Sequence, residues 1–130
     1  MTARHVLTIL AVADLPTATT FYEAAFGFRV RVSTPVYLEL ELEDGRGLGL
    51  YERTGFARNT GAPPSTTSSG STSATELYFH CDELDDAVAR LQRAGARVLS
   101  ARAARDWGDE AAYFADPDGN VIVVARPLPR

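Results

Sequence analysis

Apolar and polar positions follow two different periods along this chain, and the two periods recur in the same order in its second half. Residues 6–12 form an almost unbroken aliphatic run and predict a buried strand. Asp14 then predicts a helix N-cap, with Pro16 in the first turn, where a missing N–H has no intrahelical partner to lose. Leu15, Ala18, Phe21, Tyr22, Ala25 and Phe26 recur at helical spacing, and Gly27 predicts a left-handed stop. Residues 28–33 read as a second strand, broken by Thr34-Pro35. From Val36 the period becomes two: Leu38, Leu40 and Leu42 alternate with Glu39, Glu41 and Glu43. Asp44-Gly45 signals a hairpin, and residues 47–53 are its returning strand.

The same order follows again. Residues 75–81 alternate as a strand; Asp82 is the expected cap of a second helix, with Asp85 at its positive end. Leu84, Ala87, Val88, Leu91 and Ala94 supply that helix with its apolar stripe before Gly95. Residues 97–100 read as a short strand, and 111–115 and 121–126 as a hairpin about Asp116-Pro117-Asp118-Gly119. Both copies run from an Asp to a Gly thirteen positions on and then to an Arg-Val pair, Asp14 to Val30 and Asp82 to Val98. The predicted fold is α+β: a single domain over 1–130, with one βαβββ module over 4–54, a second over 75–127, and residues 55–74 between them. That connection is rich in Ser, Thr, Gly and Pro and reads as a slack linker, the other reading being a lid.

Composition narrows the function classes. A formal charge of −4 and a pI near 5.1 leave nothing to neutralise phosphates, so a nucleic-acid partner is not expected. The apolar run at the N-terminus is too short to span a membrane and lacks a cleavage-like sequel, so a cytoplasmic chain without a membrane partner is expected. The lone Cys81 excludes an intrachain disulfide and reads as a packed, inert thiol. No Gly-rich phosphate loop or serine elbow occurs, and no residue is singled out as catalytic.

Phe21-Tyr22 and Phe26-Gly27-Phe28 at the end of the first helix, with Tyr113-Phe114-Ala115-Asp116-Pro117-Asp118-Gly119-Asn120 before the last strand, resemble the vicinal oxygen chelate superfamily. That group includes glyoxalase I, extradiol dioxygenases, fosfomycin-modifying enzymes and bleomycin-resistance binding proteins. The resemblance covers essentially the whole chain; Phe26 stands where leucine is usual. It implies a cupped mixed sheet, a homodimer, and in the enzymes a divalent metal held from four strand positions. Carried over by motif spacing, those positions fall near Leu7, Gly49 or Leu50, Glu76 and Val123, of which only Glu76 donates to a hard cation. Glu76 and His80 share a strand face but lie roughly 13 Å apart, too far to chelate one ion or act as direct partners.

No metal site and no cofactor are therefore expected; if one is present, the resemblance makes it a divalent metal. The expected ligand-facing residues are Leu7 and Ile9 on the first strand, Tyr51 on the fourth, Glu76, Tyr78 and His80 on the fifth, Tyr113 and Val123 near the end, and Trp107. Trp107 reads as a rim platform for a flat ligand or as a plug on the sheet edge. The glutamates at 39, 41 and 43 read as a solvated strand face, the other reading being an acidic wall for a cationic guest. The leading expectation is a metal-free, small-molecule binding protein of the bleomycin-resistance type that sequesters an organic ligand such as an antibiotic. The rival is a metal-dependent lyase, isomerase or dioxygenase with a relocated site, using Glu76 with His5 or His80.

Overall fold

A computed structural model describes residues 1–130. The chain runs β1 (Leu7–Val12), α1 (Leu15–Phe26), β2 (Arg29–Ser33), β3 (Tyr37–Glu41), β4 (Gly47–Glu52), α2 (Arg53–Thr60), β5 (Glu76–His80), α3 (Leu84–Arg93), β6 (Arg97–Ala104), β7 (Asp109–Ala115) and β8 (Val121–Pro127). It divides into two units, Met1–Glu23 with Gly27–Ser65, and Ala24–Phe26 with Thr66–Arg130. Each unit holds one four-stranded sheet, ordered β1-β4-β3-β2 in the first and β5-β8-β7-β6 in the second. In each, the opening strand pairs parallel with the last and the rest are antiparallel. The repeat in sequence is thus a repeat in topology. No helix is long and apolar enough to cross a membrane.

Local chemistry accounts for most of the elements. The Asp14 carboxylate accepts the Thr17 N–H at 3.0 Å at the start of α1, Pro16 follows in the first turn, and Gly27 closes the helix at φ 69°. Leu15, Ala18, Phe21, Tyr22 and Ala25 are all buried, as their spacing requires. In the first sheet Leu10, Val12, Leu38, Leu40, Leu48 and Leu50 form the buried face. In the second unit Ile122, Val124, Ala112 and Phe114 share a face by register, and α3 lies against β8, burying Leu84 and Leu91. Phe79 packs on Phe26 with ring centroids 4.7 Å apart.

Three expectations are corrected. The connection expected as slack over 55–74 opens with α2. Gly55 looks like a helix breaker in sequence, but it lies inside α2 against the Tyr51 ring, where a Cβ would have no room. Gly61, at φ 85°, is the stop. The remainder is pinned: Thr67 Oγ1 donates to the Asp118 carbonyl at 2.7 Å, and Ser73 N donates to the Gly119 carbonyl at 2.9 Å. Asp82 does not cap α3; Glu83 holds that position and makes no side-chain cap bond, while Asp85 pairs with Arg102. β6 runs to Ala104 rather than stopping at Ser100, through register shifts that hide any alternation.

Candidate functional site

In the second unit the pairings Tyr78–Val123–Tyr113 and His80–Ala125–Ala111 place these side chains on one face of the sheet. Its floor is apolar: Ala111, Val121, Val123 and Ala125 are buried, with Leu99 and Tyr113 packed against them. Along β5 the odd-numbered residues 77 and 79 are half-buried, while Glu76, Tyr78 and His80 stand exposed, as the alternation predicted.

The β6–β7 connection folds over this floor. Arg105 N donates to the Asp109 carbonyl at 2.7 Å, and Gly108 takes φ 98°, which a side chain would resist. The tight turn delivers Trp107 and Asp109 to Tyr78 and His80. Trp107 Nε1 donates to Tyr78 Oη at 2.9 Å, Tyr78 Oη donates to Asp109 Oδ2 at 2.5 Å, and His80 Nε2 meets the same oxygen at 3.0 Å. The Asp109 side chain is only 14% exposed, against 57% for His80. The two donors hold the Asp109 carboxyl below the ordinary carboxylate range, the Tyr78 bond contributing most. The Tyr78 phenol is raised, first by burial and then by its bond to Asp109.

That coupling gives a measurable expectation. A phenolate beside an ionised carboxylate is disfavoured, so the Tyr78 hydroxyl contributes stability below its ordinary pKa and loses it as pH rises through the elevated one. In Asp109→Asn, one of the five tyrosines should ionise at lower pH than in the unaltered protein, read by ultraviolet difference titration. Superimposable titrations would show that the carboxylate does not act on Tyr78.

Arg105 completes the face. One of its terminal nitrogens donates to Ser100 Oγ and to the Ala101 and Ala111 carbonyls at 2.9–3.0 Å, its guanidinium carbon lies 5.0 Å from the Tyr113 ring centre, and its buried Nε has no partner. Burial raises the Tyr113 phenol, the negative charge of Glu76 adds to the shift, and Arg105 opposes it. Burial also raises the Cys81 thiol, which keeps it protonated and unreactive.

The first unit presents a different face. Leu7, Ile9 and Ala11 pair with Gly47, Gly49 and Tyr51, and these in turn with Glu41, Glu39 and Tyr37. At Gly49 a Cβ would come within 2.6 Å of Tyr37 Oη and 2.8 Å of its ring, and at Gly47 it would strike Arg31. The bare glycines let Tyr37 and Arg31 lie across the sheet. Glu39 accepts from Tyr37 Oη and from Arg31 Nε, both at 2.6 Å, and Arg29 reaches Glu41 at 3.2 Å. Glu39 and Glu41 are therefore neither a simply solvated face nor an uncompensated acidic wall, because Arg29 and Arg31 on β2 neutralise them. Burial and the Glu39 carboxylate push the Tyr37 phenol far up.

The expected ligand-facing residues thus fall in both units: Leu7, Ile9 and Tyr51 in the first, and Glu76, Tyr78, His80, Trp107, Tyr113 and Val123 in the second. The structure joins Tyr78, His80 and Trp107 through Asp109, which is not among the residues expected to face a ligand. Open hollows elsewhere, one of them between the start of α1 and Ser33, Thr34 and Pro35, carry no comparable cluster. His5 bonds only to Thr8, at 3.1 Å.

The four carried-over metal positions do not suit an ion. Val123 is fully buried hydrocarbon, Leu7 and Leu50 have no donor atom, Gly49 has no side chain, and Glu76 pairs across the strands with Val121. No group of three or more His, Cys, Asp or Glu gathers within reach of one ion. A divalent metal needs several such ligands at about 2.0–2.6 Å, and this donor set does not provide them.

A profile of the Glyoxalase/Bleomycin resistance protein/Dioxygenase superfamily matches residues 3–124. Among solved structures, the chain is similar to a glyoxalase-related enzyme from Fulvimarina pelagi, with 21% identity and a TM-score of 0.83 over 95% of this chain and 87% of that one. It is also similar to a glyoxalase/bleomycin resistance protein/dioxygenase from Nocardioides, with 21% identity and a TM-score of 0.81 over 98% of this chain and 85% of that one. Lactoylglutathione lyase from Agrobacterium tumefaciens is a third, with 21% identity and a TM-score of 0.73 over 97% and 95%. At such identities the likeness carries the fold and not the reaction. No curated protein matches the chain in sequence.

Proposed function

Since the chain belongs to the Glyoxalase/Bleomycin resistance protein/Dioxygenase superfamily, we propose that it is a small-molecule binding protein of that fold, taking an organic ligand against the exposed Trp107, Tyr78 and His80 side chains of the second sheet without a resident metal ion. The observation that carries this is the Trp107–Tyr78–Asp109–His80 network above a floor of Val121, Val123, Ala125 and Ala111. Apolar floor, half-exposed aromatic rings and a few fixed polar groups are the makings of an organic-ligand site. Glu76 on the same face has no ion-pair partner, which favours a cationic aromatic guest, as an antibiotic of the bleomycin type would be. Lowering the free concentration of such a guest is the function this reading supports.

Trp107 is the only tryptophan, so its fluorescence reports on the site directly. Bleomycin and cationic polycyclic aromatics should quench it saturably, with no dependence on added Zn²⁺, Mn²⁺, Ni²⁺ or Fe²⁺. Glu76→Gln should weaken a cationic ligand about threefold to fivefold, the worth of a partly exposed charge pair, with folding unchanged. Equal affinity in both proteins would remove Glu76 as an anchor. A stoichiometric ion retained through dialysis would restore the metal-dependent enzyme.

A further inference from the structure

We propose that His80 and Asp109 form a general-base dyad, in which His80 Nδ1 takes a proton from a small, flat carbon acid seated against Trp107 and Tyr78. The proposal rests on the reading of this face as a ligand site and extends it from binding to proton transfer.

Three features of the geometry support it. First, the tautomer is determined by the partner. An ionised carboxylate only accepts, so the 3.0 Å contact to Asp109 Oδ2 requires the proton on Nε2. Nδ1 then carries the lone pair, and it makes no hydrogen bond to any other group. Second, the orienting groups are covered while the base is open. Asp109 is held by Tyr78, which is held by Trp107, yet the imidazole is more than half exposed. A base oriented by a carboxylate, which in turn is fixed by other donors, is the arrangement proton transfer needs. Third, the charges close. The C–H bond breaks, an N–H bond forms, and the imidazolium so produced lies beside the Asp109 anion. No metal is required. His80 is the catalytic residue and Asp109 a positioning residue. Glu76 and His80 do not touch, so Asp109 is the partner that the strand itself does not provide.

The test uses 5-nitrobenzisoxazole with the full chain. His80 Nδ1 would remove the proton on C3; the C–H electron pair forms the nitrile as the ring N–O bond breaks, leaving a coloured cyanophenolate, and the imidazolium returns its proton to solvent. No co-reactant enters. The isosteric 5-nitrobenzotriazole, which cannot react, measures binding through Trp107 quenching. The expected result is saturable elimination about 100-fold faster than with an equal concentration of free imidazole. His80→Gln should remove that gain while the benzotriazole still quenches Trp107 saturably, its Kd raised by no more than about fivefold. Asp109→Asn should lower kcat at least about tenfold with KM within about twofold, and Asp109→Glu should recover part of it. Benzotriazole binding without elimination would overturn the base and leave the binding face standing. Elimination that survives His80→Gln would overturn the assignment to His80. If neither the benzotriazole nor any cationic aromatic quenches Trp107, the proposal and the reading beneath it both fall.

Discussion

Phe114→Ala is expected to destabilise the second unit by about 3–5 kcal/mol, read as a drop in the urea midpoint with little change in slope. The ring is 1% exposed on the buried face of β7, paired with Ile122 on β8 and Val98 on β6. Truncation removes its apolar area and leaves a void that close-packed neighbours fill only in part. Val98, directly opposite, is 48% exposed, so Val98→Ala should cost below about 1 kcal/mol. The contrast separates loss of the core from loss of strand pairing. A cost below about 1 kcal/mol at Phe114 would mean that the faces of β7 have been assigned the wrong way round.

Asp116→Ala should cost about 2–4 kcal/mol for a different reason. Asp116 is the one buried charged or polar side chain, and it organises the turn between β7 and β8. Its Oδ1 accepts the backbone N–H groups of Asp118 and Asn120 at 2.9 and 2.8 Å, and its Oδ2 accepts from Asn120 Nδ2 at 2.9 Å. Alanine leaves those donors without this acceptor in a place where water replaces it poorly. Asp116→Asn keeps one oxygen and should recover roughly half the loss, because Oδ1 can still serve both backbone groups. Denaturation of the two variants side by side checks this. If Asn is no better than Ala, the charge matters and the turn geometry does not.

The contrast between these two positions also shows what was legible in the sequence. Features set by neighbours a few residues away were readable: Asp14, Pro16 and Gly27 around α1, the alternation along β5, and the turn at 116–119. The topology followed, because the same elements in the same order recur in both modules. Where distant groups decide, the pattern was silent. α2 exists with a glycine inside it because the Tyr51 ring occupies the space beside that glycine. Asp109 lies 31 residues from Tyr78 and joins the site only when β7 and β5 flank β8. Its one sequence signal was a carboxylate just after Trp107-Gly108, at the end of a hairpin turn. For Glu39 and Glu41 the signal was present and unused. Counting back through the β2–β3 hairpin would have set Arg29 opposite Glu41 and brought Arg31 near Glu39. The superfamily itself was visible from the aromatic helix end and the Asp-Pro-Asp-Gly-Asn turn.

Gly47 and Gly49 have a consequence for redesign. They leave β4 without side chains at two rows in the middle of the first sheet, so that surface is furnished by the strands on either side. Its chemistry can be rewritten through Leu7, Ile9, Tyr37 or Glu39 while the strand that carries the hydrogen-bond ladder is left alone. The reverse edit is constrained: a methyl group at Gly47 or Gly49 requires Arg31 or Tyr37 to shift, so a library built on this scaffold should vary the flanking strands first.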